Sequence, residues 1–250
     1  MPGSRRLLIL GGTGEARALA DALAGRAELT VVTSLAGRTV APRRPQGELR
    51  IGGFGGAAGL ARYLEEAEID LVIDASHPYA STISGHAVEA CNTSGRPLLR
   101  LERPAWQPQH GDRWILVDSL PAAAEAAPSL GERVFLTIGV KELAAFAGIE
   151  PLWFLIRLID APEEAPPLRD YEIVLGRGPF QEIDECELMR DRGIDLVIAK
   201  NSGGDATYGK IAAARAFGLP VLLLRRPSLP PADTTQSIAA AVDWVTQQGP

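Results

Sequence analysis

IDLVIAKNSGG, residues 194–204, begins with the same five residues as IDLVIDASHPY, residues 69–79, and both stretches continue into polar loops. After each loop come an alanine-rich segment, a second apolar run and an Arg-Pro pair, so the two copies span residues 69–104 and 194–227. A strand, a loop, a helix and a second strand in this order form a βαβ unit. The sequence therefore predicts a βαβ unit that occurs twice, with a period of about half the chain.

Related sequences also precede the two copies: RLLILGGTGEARALADALA begins at Arg6, and RVFLTIGVKELAAFAG begins at Arg133. Each reads as a strand, a glycine-containing turn and a helix with an acidic residue in its first turn. Short apolar runs that alternate with helices are typical of parallel strands covered on both faces. We therefore predict an α/β fold of two Rossmann-like lobes with mostly parallel sheets, related by the internal repeat. The alternative is chance similarity between unrelated βαβ units.

The boundary between the lobes is expected in the segment SLPAAAEAAPSLGER, residues 119–133, where prolines and small residues interrupt the pattern. This places an N-terminal Rossmann-like lobe at residues 1–125 and a C-terminal one at 126–250. Because each copy closes with a strand ending in Arg-Pro, its last strand can join either sheet, so the last strands can exchange between the lobes. A helix is predicted from about Asp233 to Gln247.

Composition excludes several classes of protein. The chain has 250 residues, a formal net charge of −6 and a pI near 5.2, which disfavours binding to nucleic acid. The apolar run LLIL after Arg6 is too short for a signal peptide, and no run is long enough to span a membrane, so we expect a cytoplasmic protein. Cys91 and Cys186 lie far apart without metal-ligand spacing, so neither a disulfide framework nor a metal site is expected.

The glycine-rich sequence LLILGGTGEA follows the first predicted strand and places Gly11, Gly12, Thr13 and Gly14 where the first helix begins. Backbone amides at such a turn and the helix dipole stabilise a phosphate, and glycines let it approach the main chain. The match to G-x-G-x-x-G is incomplete, because Arg17 stands at the last position counted from Gly12. We predict a nucleotide-binding loop, and a tight turn that needs glycine is the alternative.

The second predicted strand ends at Thr33 and Ser34, about twenty residues after the glycines, where NAD enzymes usually carry Asp or Glu. No carboxylate stands there, and Arg38 follows. Small hydroxyls followed by an arginine can accept a 2′-phosphate, so we predict Ser34 and Arg38 as cofactor ligands and NADPH as the cofactor. The alternative is that Arg38 is a solvated surface charge.

The repeated loops supply two further candidate sites at the carboxyl ends of strands. In AKNSGG, Lys200 offers a charge, Asn201 and Ser202 offer hydrogen bonds, and Gly203 exposes its amide, so all four are candidate cofactor ligands. The alternative is a structural cap and salt bridge. In the matching loop DASHPYAST, His77 and Tyr79 are the candidate catalytic residues, against a histidine that is only structural.

Six phrases in order carry a resemblance over residues 7–227: GGTGEA, DASHPYA, RPAW at 103–106, TIGVKEL, GRGPF at 176–180 and KNSGG. Together they make the chain similar to the precorrin-6A reductases of cobalamin biosynthesis. The resemblance implies an enzyme, in which NADPH reduces a ring double bond of precorrin-6A, or of its cobalt complex, to precorrin-6B. It also implies that the active site lies in a cleft between the two lobes. Hydride addition must be balanced by a proton, which His77, Tyr79, Lys200 or water could give, and we favour His77 or Tyr79.

The same resemblance implies a macrocycle rich in carboxylates, which arginines would bind. The arginine candidates are Arg17, Arg100, Arg103, Arg157 and Arg177. The substrate-binding residues predicted overall are Arg17, Ser76, Gly139, Lys141, Arg177 and Gly204. The family often has Thr where Ser76 stands, and GGDATYGK replaces a more glycine-rich sequence, which puts details of ligand fit in doubt.

Rival functions remain at this point. Another NADPH-dependent tetrapyrrole reductase and a non-catalytic nucleotide-sensing module both fit the glycine-rich loops and the two lobes. A two-lobed solute receptor fits the architecture but lacks an export signal. We expect a monomer with a small tetrapyrrole substrate and no nucleic-acid or membrane partner.

Overall fold

The computed structural model describes residues 4–37 and 44–248, and the chain forms two compact units. The first unit comprises residues 1–104 and 227–250, and the second comprises residues 105–226. This division differs from the one expected after residue 125. The segment that was expected to be a linker contains a helix, because Ser119 caps it through the amide of Ala122 and Pro121 lies in its first turn, where proline is tolerated.

The first unit contains a six-stranded parallel sheet with helices on both faces. Its elements are β1 (Arg5–Leu10), α1 (Gly14–Leu23), β2 (Leu29–Leu35), β3 (Glu48–Ile51), α2 (Ala57–Glu66), β4 (Leu71–Asp74), α3 (Ser81–Ser94), β5 (Leu98–Leu101), β12 (Asp233–Thr235) and α7 (Ile238–Gln247). The strand order is β12-β5-β4-β1-β2-β3, which is the order of a dinucleotide-binding fold. The C-terminal helix is therefore shorter than expected, because residues 233–235 form a strand.

The second unit repeats this arrangement. Its elements are β6 (Arg113–Val117), α4 (Leu120–Ala126), a 3₁₀ helix (Ala127–Ser129), β7 (Arg133–Thr137), a 3₁₀ helix (Val140–Phe146), β8 (Trp153–Leu158), β9 (Tyr171–Leu175), α5 (Glu182–Asp191), β10 (Leu196–Lys200), α6 (Gly209–Ala216) and β11 (Pro220–Leu224). The strand order is β6-β11-β10-β7-β8-β9, and every pair is parallel. The predicted α/β fold with two parallel sheets is confirmed.

The strands expected to be able to join either sheet, β5 and β11, stay with β4 and β10 of their own copy, and the strands that exchange are the ones that follow them. After β5 the chain continues into β6, which pairs with β11 in the second sheet. After β11 it continues into β12, which pairs with β5 in the first sheet. Each sheet therefore receives its last strand from the segment that follows the βαβ unit of the other sheet, and the chain crosses between the units twice.

Apolar side chains on both faces of the first sheet hold its helices. Leu7 and Ile9 pack on one face with α1 and α7, whereas Leu8 and Leu10 pack on the other with α2 and α3. Burying each of these side chains contributes about 1.5–3 kcal/mol. Because Val245 of α7 is fully enclosed in the first core, the C-terminal segment belongs to the first unit. Within the described residues, no helix has the length and apolar character that crossing a membrane requires.

Candidate functional site

The loop between β1 and α1 is tied to the ends of two neighbouring strands. The amide of Gly11 donates to the carbonyl of Ser34 at 2.9 Å. The Thr13 hydroxyl donates to the carbonyl of Ala75 at 2.8 Å and accepts from the amide of Ala16, so Thr13 also caps α1. The structure therefore places the predicted glycine loop at the carboxyl edge of the sheet, between the ends of β2 and β4.

The three glycines of this loop have different reasons to be glycine. A Cβ atom at Gly11 would lie 3.0 Å from the methyl group of Thr33, closer than ordinary van der Waals contact, so Thr33 would have to shift to admit a side chain. Gly12 has a φ of 109°, which other residues rarely adopt. Added Cβ atoms at Gly12 and Gly14 would meet none of the described residues within 4 Å, so in this part of the structure the backbone borders open space. Amides at a helix N-terminus with open space in front fit the pyrophosphate of a dinucleotide.

The end of β2 carries a contact that the sequence did not predict. Ser34 is buried, and its hydroxyl accepts a hydrogen bond at 3.3 Å from Arg50 of the neighbouring strand β3. Arg38, the arginine predicted here, lies outside the described residues. Arg50 was missed because only the register of β2 and β3, which pairs Ser34 with Arg50, brings the two side chains together.

His77 and Tyr79 follow β4 in a tight turn, in which the amide of Ala80 donates to the carbonyl of His77. The amide of Tyr79 donates to Nδ1 of His77 at 3.2 Å, and the two rings lie 5.7 Å apart. Nδ1 is therefore the acceptor, and in the neutral ring Nε2 carries the proton. Both side chains are half-buried at the carboxyl edge, as the sequence predicted for a candidate site.

A buried ion pair lies directly below this turn. Asp74 and Arg100 are almost completely enclosed, and Oδ2 of Asp74 lies 3.5 Å from Nε of Arg100. The other oxygen, Oδ1, accepts from the hydroxyl of Ser76 at 2.6 Å. Breaking such a pair would leave an uncompensated buried charge, so the pair fixes the strand ends beneath the His77 turn.

Burial and, to a smaller extent, the charge of Asp74 raise the pKa of Cys91 to about 12, so this thiol is not a nucleophile.

Three of the five candidate arginines are neutralised by carboxylates of the protein. Arg100 pairs with Asp74, and Arg103 bonds the carboxylate of Glu15 at 2.6 Å. Arg157 bonds Glu185 at 2.5 Å, and its guanidinium stacks on aromatic rings. Arg17 in α1 and Arg177 just after β9 are half-buried near the carboxyl ends of β1 and β9.

In the second unit, Gly139 and Lys200 meet at one carboxylate, that of Glu142. Gly139 precedes the 3₁₀ helix that begins at Val140, and its amide donates to Oε2 of Glu142 at 2.8 Å. Nζ of Lys200 lies 2.6 Å from each carboxylate oxygen of the same side chain. A glutamate three residues after the residue that precedes a helix is a capping-box signal, so the sequence could have identified the contact between Gly139 and Glu142. Lys141, on the same helix, is exposed.

The loop after β10 is fixed by contacts within the second unit. The Asn201 side chain accepts from the amide of Trp106 at 2.8 Å and donates to the carbonyl of Trp106 at 3.1 Å. Arg226 donates to the carbonyls of Asn201 and Ser202, and the Trp106 indole donates to the carbonyl of Gly204. Gly203 and Gly204 both have positive φ, so the loop needs glycine at these positions. The Asn201 side chain and the carbonyl of Gly204 thus hold Trp106.

The predicted residues accordingly form two groups. In the first unit the backbone contacts unite the glycine loop with Ser34 and with the end of β4, where Ser76 and His77 lie. In the second unit Glu142 unites Gly139 with Lys200. Glu142, Arg50 and Trp106 are the residues that the sequence-based prediction of the site omitted.

Comparison with known proteins gives one consistent result. The family model described as "Precorrin-6x reductase CbiJ/CobK" matches residues 6–246. The chain is 51% identical over 241 residues to the precorrin-6A reductase of Rhodococcus erythropolis, covering 96% of this chain and 97% of that protein. It is 32% identical to the cobalt-precorrin-6A reductase of Salmonella typhimurium, covering 89% of this chain and 88% of that protein. A solved structure of a CobK precorrin-6A reductase superimposes with a TM-score of 0.93 at 44% identity, covering 98% of this chain and 97% of the other.

Proposed function

The chain belongs to the precorrin-6x reductase family, and we propose that it reduces one ring double bond of precorrin-6A with NADPH as reductant. When bound, the dihydronicotinamide supplies the hydride, and a proton from the protein or from water completes the addition. Precorrin-6A thereby becomes its dihydro product, precorrin-6B, and NADPH becomes NADP⁺. The observation that carries the choice of a dinucleotide is the open backbone at Gly12 and Gly14, at the carboxyl edge of a sheet with dinucleotide-binding strand order.

Within this proposal the first unit binds the nucleotide. The amides of residues 11–14, at the N-terminus of α1, hold the pyrophosphate. The Thr13 hydroxyl is bonded to Ala75 and Ala16, so it does not occupy the space in front of Gly12 and Gly14. Ser34 lies at the strand end that in this fold contacts the adenosine ribose. The second unit offers Lys141 and Arg177 as cations for the substrate carboxylates. The location of the active site in a cleft between the two lobes stays a prediction.

His77 and Tyr79 are assigned different tasks in this proposal. Because Nδ1 of His77 accepts from the Tyr79 amide, the ring carries its single proton on Nε2. Complete transfer of that proton would leave an imidazolate anion, so His77 is suited to orient the substrate through a hydrogen bond. The phenol of Tyr79 is then the better proton donor of the two.

Single-turnover kinetics test these assignments. Enzyme that holds NADPH is mixed with precorrin-6A, and the absorbances of the nucleotide and of the pigment are followed together. Tyr79→Phe is expected to slow pigment reduction by about 10²- to 10⁴-fold, the usual contribution of a general acid. His77→Asn is expected to act mainly on substrate affinity. Unchanged rates in both variants would leave water as the proton source, and NADPH binding without a pigment change would support the nucleotide-sensing module.

The substrate is proposed to be the cobalt-free ring. The identity to the precorrin-6A reductase from Rhodococcus erythropolis is 51%, against 32% to the cobalt-precorrin-6A reductase from Salmonella typhimurium. Turnover of precorrin-6A and of its cobalt complex by the same enzyme preparation would decide. A higher kcat/KM for the cobalt complex would overturn this choice without affecting the reaction type.

A further inference from the structure

Arg50 occupies an unusual position beside the end of β2. Its guanidinium donates to the Ser34 hydroxyl at 3.3 Å and to the carbonyls of Gly52 at 2.6 Å and Gly53 at 2.8 Å. The guanidinium carbon lies 3.8 Å from the centre of the Phe54 ring and 5.0 Å from that of Tyr63. These contacts fix the plane of the guanidinium but supply no negative charge.

Among the described residues, no carboxylate forms an ion pair with Arg50, whereas Arg100, Arg103 and Arg157 each have one. The whole segment 33–56 contains four arginines and a single acidic residue, Glu48. Glu48 bonds Arg6 at 2.9 Å, at the opposite end of the sheet from the carboxyl ends of the strands. A half-buried guanidinium without a counter-charge favours an anionic ligand.

The position of Arg50 indicates which anion this is. In dinucleotide-binding folds the end of the second strand contacts the adenosine ribose, through an acidic residue for NAD or a nearby arginine for the 2′-phosphate of NADP. Among the described residues, added Cβ atoms at Gly52, Gly53, Gly55 and Gly56 would meet nothing within 4 Å, so the backbone of the adjoining loop is uncovered there. Resting on the nucleotide site proposed above, we propose that Arg50, together with the Ser34 hydroxyl, binds the 2′-phosphate and determines the preference for NADPH over NADH.

The stacking on Phe54 explains why an arginine is required here. A planar guanidinium that is held against a ring keeps its donors aimed in one direction, and it can bond two oxygens of a phosphate at once. A lysine would keep the charge but would lose both the stacking and the two-pronged geometry. Arg50→Lys is therefore expected to bind the 2′-phosphate less tightly than the native protein and more tightly than Arg50→Leu.

The proposal can be tested without the pigment, by calorimetric titration of the full-length protein with 2′,5′-ADP and with 5′-AMP. The native protein is expected to bind 2′,5′-ADP at least about 10-fold more tightly, since hydrogen bonds between charged groups are stronger than those between neutral groups. Arg50→Leu is expected to remove this difference and to leave the affinity for 5′-AMP unchanged. Arg62→Leu, which removes an exposed arginine of α2, is the matched control and should change neither affinity.

The outcomes separate this inference from the proposed function. If neither fragment nor NADPH binds to the native protein, the proposed nucleotide site itself fails. If Arg50→Leu keeps the preference while Arg38→Leu abolishes it, Arg38 binds the 2′-phosphate and the inference about Arg50 is overturned. If Arg50→Leu is unfolded at the assay temperature, Arg50→Lys decides, because an unchanged preference in that folded variant contradicts the role of the stacked guanidinium.

Discussion

The loops that follow β1 and β7 occupy equivalent places in the two units, yet they are built in opposite ways. In the first unit the loop leads into a regular α-helix capped by Thr13, and the space before Gly12 and Gly14 is open. In the second unit the loop leads into a 3₁₀ helix, and a Cβ atom at Gly139 would lie 3.1 Å from Oε2 of Glu142. The second loop therefore holds an anion that belongs to the protein.

This difference separates the roles of the two copies. A loop whose amide and lysine already bind Glu142 gains little from a phosphate, because the phosphate would first have to displace the carboxylate. In the first loop the acidic residue of the first helical turn, Glu15, bonds Arg103 rather than the loop amides. We therefore propose a single nucleotide site, in the first unit, because in the second unit the carboxylate of Glu142 already occupies the equivalent loop.

The largest expected effect comes from filling the open space of the first loop. Gly14 has no conformational need for glycine, so Gly14→Val should fold normally while its side chain blocks the approach of the pyrophosphate. The affinity for NADPH, measured by calorimetry, is expected to fall by at least about 100-fold, or about 3 kcal/mol. Gly139→Ala at the equivalent loop is the control and should leave NADPH affinity unchanged. A larger loss from Gly139→Ala would reverse the assignment of the two loops.

A second test concerns the loop after β10, whose asparagine bonds the protein itself. Asn201→Ala leaves the amide and carbonyl of Trp106 unpaired, so the free energy of unfolding is expected to fall by about 1–3 kcal/mol. Urea denaturation measures this loss, and Asn92→Ala, at an exposed position of α3, should change little. Loss of NADPH affinity in Asn201→Ala without loss of stability would mean that this loop binds the nucleotide.

The internal anion of the second loop can be removed directly. Glu142→Ala removes the carboxylate that accepts from Lys200 and from the Gly139 amide, and we expect a loss of about 1–2 kcal/mol in the free energy of unfolding. If Glu142 fills an anion site, added inorganic phosphate should restore part of this stability in Glu142→Ala only. Glu187→Ala, an exposed position of α5, is the control. If phosphate stabilises Glu142→Ala no more than it stabilises the native protein, Glu142 does not occupy an anion-binding site.

The smallest effect is expected at the helix cap of the first loop. Thr13→Ala removes the acceptor for the Ala16 amide and the donor to Ala75, which should lower the free energy of unfolding by about 1 kcal/mol. NADPH affinity should fall a few-fold, because the loop is no longer tied to the end of β4. Thr13→Ser keeps the hydroxyl and should restore both properties. If Thr13→Ser is as unstable as Thr13→Ala and binds NADPH as weakly, the methyl group of Thr13 matters and its hydroxyl does not.

The sequence predicted the parts of the fold that are buried and repeated. The strands β4 and β10 stand out because identical apolar residues precede their loops, and buried parallel strands read as continuous apolar runs. The edge strands β6 and β12 were not predicted. β12 is only three polar residues long, and in β6 the apolar run WILV is partly exposed, with Ile115 and Leu116 more than a third exposed. The exchange of the sixth strands depends on pairing between segments that are far apart in the chain. In the linker expected at residues 119–133, residues 120–126 form a helix, because proline is tolerated in a first helical turn.

The candidate site shows the same limit. The glycine loop and the His77 turn were predicted because they follow recognisable strands, where ligands bind in this type of sheet. Arg50 reaches Ser34 only through the register of neighbouring strands, and Glu142 reaches Lys200 across 58 positions of sequence. Whether Lys200 meets a ligand or a carboxylate of the protein depends on such contacts between distant residues, which residue spacing does not encode.

A crystal structure of the protein with NADP⁺ would test the central claim most directly, since it locates the pyrophosphate. We expect the pyrophosphate against the amides of residues 11–14, with the Lys200–Glu142 pair intact. Density for the pyrophosphate at residues 139–142 or 200–204, with Glu142 displaced, would contradict the account.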